Sequence, residues 1–573
     1  MVLRGSASAW LSELERLKTD FTAGRSDRKL ALLAALADAR LPTARQVHRL
    51  HEALCFMRAY PDDARILRTV ERLLHQFADR RDLRRHRRAL ANSGIAGTSI
   101  HFPFFSPAAV WLTTTWPDAL RFDRRRLRGA DGLAPYLERL ALFAETMGLD
   151  ELPLSVTEWI DAMRGPQETD AGFVARAFHH IDAEPRLLEA LYDDLDLPCV
   201  LSPGPDTPAR GRLKLDFLPV RWQTRPLRRE RPDLAVEIRK PPHRVQRASR
   251  VEARRVIKLA RSMMVCMERD LDVFSYASDA DVCFADCGAG LCFAFIGFVP
   301  ERRLMLEALY GYVALQNGVA LGYGTVASLF GTAELAFNMA ATFRGGETAH
   351  VFGRLCACAR ALFGADSFSL TPYQIGDDNP EAVKSGAWWF YQKLGFRPQS
   401  AALLRLMRRE LRAMRRDPGH RSAPATLKEL ATESVYFHLG RRRDDVLGLV
   451  PIGNVGLQLT RFLAERYGAE RRQGVAELVR HAARLLAVRS LAPLGRDERL
   501  AFARFAPLVC LLPGIERWSA KERGAFFEVV RAKGGRSELE YARRFDAHAK
   551  LRRALVTLAA RGPDPGARGR GAL

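Results

Sequence analysis

The stretch LYGYVALQNGVALGYGTVASLFGTAELAFNMAATFRGGETAHVFGRLCACARALF, residues 309–363, decides how this chain folds. Leu309 to Gln316 is predicted as a strand. Asn317-Gly318 is the turn after it, because a two-residue hairpin turn needs positive φ at both central positions. Val319 to Phe330 returns, Gly331-Thr332 turns again, and Ala333 to Ala340 is a third strand. A Gly-rich loop, Phe343 to Ala349, then leads directly into a helix. Val351, Phe352, Leu355, Cys356, Ala359, Leu362 and Phe363 share one face of that helix. Upstream, Val282 to Ala285 and Leu291 to Phe298 flank Gly288 and Gly290 and read as a hairpin. Downstream lie a short strand, Ser367 to Leu370, a loop from Gln374 to Pro380, and a second helix carrying Trp388-Trp389-Phe390-Tyr391. A Gly-rich loop at a helix N-terminus presents unpaired backbone N–H groups and the positive end of the helix dipole. It predicts a phosphate-bearing ligand.

This order of elements resembles the GNAT superfamily of N-acyltransferases. Its members carry a three-strand meander, a pyrophosphate loop of the form Arg/Gln-x-x-Gly-x-Gly/Ala, a helix, a strand, and a helix ending in Phe/Leu-Tyr-x-Lys-Leu-Gly-Phe. Phe390-Tyr391-Gln392-Lys393-Leu394-Gly395-Phe396 matches the last phrase at every specified position, and Arg344 and Ala349 match the two ends of the loop pattern. The resemblance covers residues 309–398, well under a fifth of the 573-residue chain.

The resemblance implies an acyl-CoA-dependent N-acyltransferase, with acetyl-CoA or another acyl-CoA as donor and a small-molecule or protein amine as acceptor. It implies that the amides around Arg344, Gly345, Gly346, Thr348 and Ala349 hold the pyrophosphate. Asn338, Met339 and Ala340 would present backbone to the pantetheine arm, and Asn379 stands for the Asn that precedes the last helix. Tyr391 would be the general acid that protonates the leaving thiolate, since a phenol is a neutral proton donor at pH 7; the same residue also reads as aromatic packing. Glu334 is the candidate base for the amine, sharing a strand face with Ala336 and Asn338, although a carboxylate early in a strand is commonly solvated. Two positions depart from the family pattern. The central Gly falls on Glu347, where a carboxylate is expected to face and repel the pyrophosphate unless Gly346 takes its place. Asn379 lies twelve residues before Tyr391, and the usual spacing falls on Lys384. Two alternatives stay open: a GNAT-fold transferase that takes an aminoacyl group from tRNA, and a non-catalytic GNAT domain in a protein-interaction scaffold.

The length predicts several domains. The fold class expected is α+β, a GNAT-like mixed β-sheet domain flanked by N-terminal and C-terminal α-helical regions. The boundaries read as a helical domain 1–95, a mixed region 96–245, the GNAT-like domain 246–402, a helical domain 403–560 and an unstructured tail 561–573. Leu213 to Val220 and Leu234 to Ile238 are predicted as strands, and residues 250–270 as an amphipathic helix. The N-terminal segment to Asp20 reads as an amphipathic helix without the apolar core of a signal peptide, and no stretch is long and apolar enough to span a membrane. A cytoplasmic protein of bacterial type is therefore expected.

Formal net charge is +23, and only 11 of the 89 basic residues are Lys. That charge suits phosphate-bearing partners, RNA or tRNA among them, and equally suits GC-rich coding. Arg80, Arg81, Arg84, Arg85, Arg87 and Arg88 read as a solvated helix face. The nine cysteines lack metal-ligand spacing and read as small core residues. No Walker loop, dinucleotide fingerprint, His-Glu-x-x-His or Gly-x-Ser-x-Gly occurs.

Overall fold

Asn317 and Gly318 adopt φ of 52° and 78°, the pair of left-handed conformations that a two-residue hairpin turn requires. Phe330 and Gly331 do the same at the next turn, with φ of 56° and 66°. The predicted meander is therefore in place. The computed structural model describes residues 5–22, 24–127 and 132–562. The tail expected at 561–573 lies outside these from residue 563 onward.

Two compact units divide the chain. The first holds residues up to Leu227 with Arg254–Tyr276 and Leu315–Leu321; the second holds Arg228–Ala253, Ala277–Ala314 and the chain from Gly322.

The first unit opens with α1 (Ala7–Leu17), α2 (Arg25–Asp38), α3 (Ala44–Ala59), α4 (Ala64–His75) and α5 (Arg81–His86). Side-chain caps set their starts: Ser6, Thr43 and Asp63 each accept a backbone N–H from the first turn that follows. Their apolar faces, Leu32, Leu33 and Leu36 with Val47, Leu50, Leu54 and Met57, form one buried cluster. Arg80 corrects the basic-face reading. It is clamped inside the unit, donating to the carbonyls of Leu36, Ala37 and Ala39 and to Asp82. Arg84, Arg85, Arg87 and Arg88 do stay exposed.

A small antiparallel sheet follows, β1 (Ile100–His101), β2 (Leu120–Phe122) and β3 (Cys199–Leu201), with β3 in the middle. It packs with α6 (Ser106–Thr115) and the Asp170–His180 helix around Ala109, Leu112, Val174 and Phe178. The strand expected at 213–220 is not formed. That segment is irregular, with a single bridge from Lys214 to Val319. The predicted 250–270 helix runs Arg250–Cys266.

The large sheet consists of β4 (Arg244–Arg247), β5 (Ala277–Gly288), β6 (Leu291–Phe298), β7 (Ala308–Gln316), β8 (Val319–Leu329), β9 (Thr332–Met339), β10 (Ser367–Leu370), β11 (Arg397–Pro398) and β12 (Val435–His438). Its order is β11-β12-β10-β9-β8-β7-β6-β5-β4. β9 and β10 run parallel, whereas β8–β9, β10–β12 and β11–β12 are antiparallel. The sheet is thus mixed, and the chain is a mixed helix-and-sheet protein. β12 lies in the region read as wholly helical. At four residues it is too short to show a period against its helical neighbours.

Leu234–Ile238, expected as a strand, is a one-turn helix. Asp233 caps it by accepting the Val236 N–H, and Glu237 turns inward to Arg354 at 3.2 Å. A five-residue apolar run carries no usable period, so the cap and the buried ion pair decide.

α7 (Thr348–Phe363) covers the sheet with Phe352, Leu355, Cys356, Ala359 and Leu362, all buried. The short α8 (Pro372–Ile375) sits inside the segment read as a loop, and α9 (Pro380–Ser385) and α10 (Ala387–Lys393) follow. Among the described residues no helix is long and apolar enough to cross a membrane.

One close approach in β8 fixes a residue choice. A Cβ on Gly324 would lie 1.8 Å from the Ala336 carbonyl oxygen and 2.6 Å from the Tyr312 hydroxyl. Gly324→Ala is expected to destabilise the second unit by at least about 2 kcal/mol through overpacking, read as a lowered urea midpoint. An unchanged midpoint would show that β8 and β9 separate freely here.

Candidate active-site cleft

β9 is paired with β10 only as far as Glu334 opposite Ser369. After Leu370 the chain turns away into α8, while β9 continues to Met339 against β8. The Phe337 N–H is met instead by the Gln374 side-chain oxygen at 3.2 Å. The parallel pair therefore opens into a cleft of about 540 Å³. This size suits a small-molecule ligand.

Nine of the predicted site residues line it: Asn338 and Met339 at the end of β9, Arg344, Gly345, Gly346, Thr348 and Ala349 in the loop and first turn of α7, then Asn379 and Tyr391. Ala340 is buried beside the cleft without lining it, and Glu334 does not line it either. Glu334 does share the half-buried face of β9 with Ala336 and Asn338. Burial raises its carboxyl pKa, with Glu307 adding to the shift. Its place, four residues back from Asn338, is about 13 Å along the strand.

The loop is built for close approach. Gly345 has φ of 80° and nothing within 4 Å of a Cβ placed on it. Arg344 ties the loop down, donating to the Met339 carbonyl at 3.0 Å and to Glu381 at 2.7 Å. The first backbone bond of α7 runs from Val351 N–H to the Glu347 carbonyl, which leaves the earlier amides of that turn without intrahelical acceptors.

Glu347 is turned away from the cleft and does not line it. Its carboxylate accepts the Arg228 backbone N–H at 2.9 Å. The carboxylate expected to face the loop's ligand is therefore held away from the cleft by a contact from 119 residues upstream. The same segment brings Arg229 and Arg231 to the cleft wall, where Lys393 also lies. No local signal near residue 230 announces this, since the arginines reach the site through tertiary packing alone. Asn379 serves mainly as a cap. Its side chain accepts the Ala382 N–H and donates to the Tyr373 carbonyl, so both of its polar ends are engaged in the fold.

Tyr391 is 3% exposed, with its ring packed against Phe352, Phe390 and Phe396. Its hydroxyl hydrogen-bonds to no described residue, and the residue lines the cleft. Burial pushes its pKa well above the ordinary phenol value, with the Cys356 thiol adding to the shift, so it stays protonated at neutral pH.

His350 sits in the first turn of α7, its Nε2 accepting from Arg228 at 3.1 Å. Burial, then the Arg228 charge, lowers its pKa from 6.5 to about 4. The unfolded chain takes up a proton near pH 6.5, and the folded chain does so only near pH 4. The folded state therefore loses stability as pH falls through that window. His350→Gln is expected to flatten the fall in unfolding free energy between those pH values; an identical slope in the variant would show that His350 titrates normally.

The cysteines are free. Seven are buried, and Cys287 and Cys510 are half-buried. Among the described residues no group of three His, Cys, Asp or Glu side chains could hold a metal ion.

The fold and cleft thus define a mixed helix-and-sheet protein with a glycine-containing loop and a helix N-terminus lining a cleft at an opening in its sheet. No family model, curated protein or solved structure matches the chain.

Proposed function

We propose that this cleft binds an acyl-CoA and that the protein moves the acyl group to an amine, as the resemblance to the GNAT superfamily implies. One observation carries the reading: the open edge of β9, the Gly345 loop with the start of α7, and a phenol without an internal partner converge on one cleft. The Arg344 and Gly346 amides are engaged within the turn, so the donors that suit a diphosphate are those of the first turn of α7. The stretch of β9 edge left by β10, where Gln374 already holds the Phe337 N–H, suits an amide-bearing arm laid alongside it. The thioester supplies the activated acyl group, and in this reading the Tyr391 phenol gives its proton to the departing sulfur.

Glu347 supports this reading as a tether. Through Arg228 it holds Arg229 and Arg231 at the cleft, adding positive charge beside the loop. A tRNA-borne donor would meet the same cations, which is what favours that second reading.

Calorimetric titration with CoA, acetyl-CoA and bulk tRNA tests both. CoA is expected to bind the wild type, and Glu347→Ala to weaken it roughly 5- to 10-fold by releasing the tether, about 1–1.4 kcal/mol. No heat with CoA at millimolar concentration overturns the acyl-CoA reading. Tighter CoA binding by the Glu347→Ala protein would mean that the carboxylate repels the ligand after all.

A further inference from the structure

A second cavity, of about 550 Å³, lies wholly within the first unit. One wall is a stripe of the Arg250–Cys266 helix: Arg255, Lys258, Leu259 and Ser262 fall at the spacing that puts side chains on one helix face. The opposite wall is the irregular stretch from Leu213, where a strand is expected from the sequence, contributing Leu213, Lys214 and Leu215, with Arg212 at the end of the short Arg210–Arg212 turn just before it. Trp116, at the end of α6, closes one side.

Four cations line this cavity against one carboxylate, Asp206. They are not equally available. Lys214 pairs with Glu71 and lies 3.6 Å from Asp216. Arg212 is oriented by donating to the Gly204 and Thr207 carbonyls. Arg255 lies over the Phe217 ring, with Asp216 only at 3.9 Å. Lys258 has no carboxylate within 4.0 Å among the described residues, and its ammonium lies 5.5 Å from the centre of the Trp116 ring. The Ser262 hydroxyl hydrogen-bonds to no described residue.

Arg212 and Lys258, on opposite walls and with no carboxylate within 4.0 Å among the described residues, raise the local potential and favour an anion between them. Arg and Lys both suit phosphate, Arg as a planar fork and Lys as a point charge. Trp116, Leu213, Leu215 and Leu259 add apolar and aromatic surface, which inorganic phosphate would not use. A tryptophan face suits a planar ring, and a stacked base contributes substantially to binding.

We propose that Arg212, Arg255, Lys258 and Trp116 form a binding site for a mononucleotide-like ligand, with phosphate on the cations and the planar ring on Trp116. This goes beyond the acyl-CoA reading and does not depend on it, because none of these residues lies in the cleft at β9.

The probe is 8-azido-ADP, photo-crosslinked to the full-length protein and located by peptide mapping, with ADP and adenosine as competitors. The expected label falls on peptides containing Trp116 or residues 255–262, and ADP displaces it while adenosine does not. The exposed double variant Arg255→Glu/Lys258→Glu is expected to lose at least 10-fold in labelling there, with an unchanged circular dichroism spectrum. Trp116→Leu is expected to lose labelling more modestly. Label found only on peptides from residues 337–393 would overturn this proposal while supporting a nucleotide-binding cleft at β9. Equal competition by adenosine, or undiminished labelling of the double variant, would overturn it as well.

Discussion

Tyr391→Phe is expected to lower acyl transfer by about 10²- to 10⁴-fold, the usual contribution of a positioned general acid, while the protein remains as stable as before. The two halves of that result have separate causes. The ring stays packed among Phe352, Phe390 and Phe396, so the aromatic core is unchanged. The hydroxyl has no hydrogen-bond partner among the described residues, so removing it orphans nothing and should shift unfolding free energy by less than about 1 kcal/mol. Transfer from acetyl-CoA to a panel of amines, measured with urea unfolding on the same samples, reads both. Because burial raises the pKa of the phenol, the wild-type rate should also persist through the alkaline range where an ordinary tyrosine ionises. Wild-type activity in the Phe variant would leave Tyr391 as packing alone.

Lys533→Met is expected to cost about 3–5 kcal/mol of stability. Lys533 and Glu538 are both buried, 4% and 0% exposed at their side chains, and their charged atoms meet at 2.6 Å. Lys533 also donates to the Glu307 carbonyl at 2.8 Å and lies 4.2 Å from the Tyr541 ring centre. Removing it leaves Glu538 with Arg303, 3.8 Å away, and with Asp281 as a repelling neighbour. Burial already raises the Glu538 pKa above its ordinary value, and losing the ammonium raises it further. A carboxyl raised on folding contributes stability at low pH and loses it as pH rises. The deficit of the variant should thus be largest at neutral pH and smaller near pH 4. The double variant Lys533→Met/Glu538→Leu should recover much of the loss, because the charges it leaves inside, Arg303 and Asp281, are opposite in sign and offset each other. A single variant within about 1 kcal/mol of wild type would mean that water reaches the pair.

The contrast between these two sites bears on legibility. Tyr391 stands in a phrase that any reader of the chain can find, next to a turn whose Asn317-Gly318 pair admits little but a hairpin. Lys533 and Glu538 lie in a helical region where nothing distinguishes them from the other charges, and only burial makes them consequential. Glu334 shows the reverse case. Its strand face was predictable from alternation, but its distance from the cleft depends on where β9 parts from β10.

The meander, the Gly-rich loop and the helices around them could be read from the chain alone, because they rest on local physics: a two-residue period, positive-φ turns, and caps one to three residues from a helix start. Tertiary structure decided the rest. It inserted β12 between β10 and β11, turned 234–238 into a capped helix, and rotated the Glu347 carboxylate away from the cleft onto the Arg228 amide. Each of those outcomes has a partner more than thirty residues away, the 234–238 helix through Arg354 as well as its local Asp233 cap. A side chain's direction is set by the groups that satisfy it, and no sequence period encodes a partner at that separation.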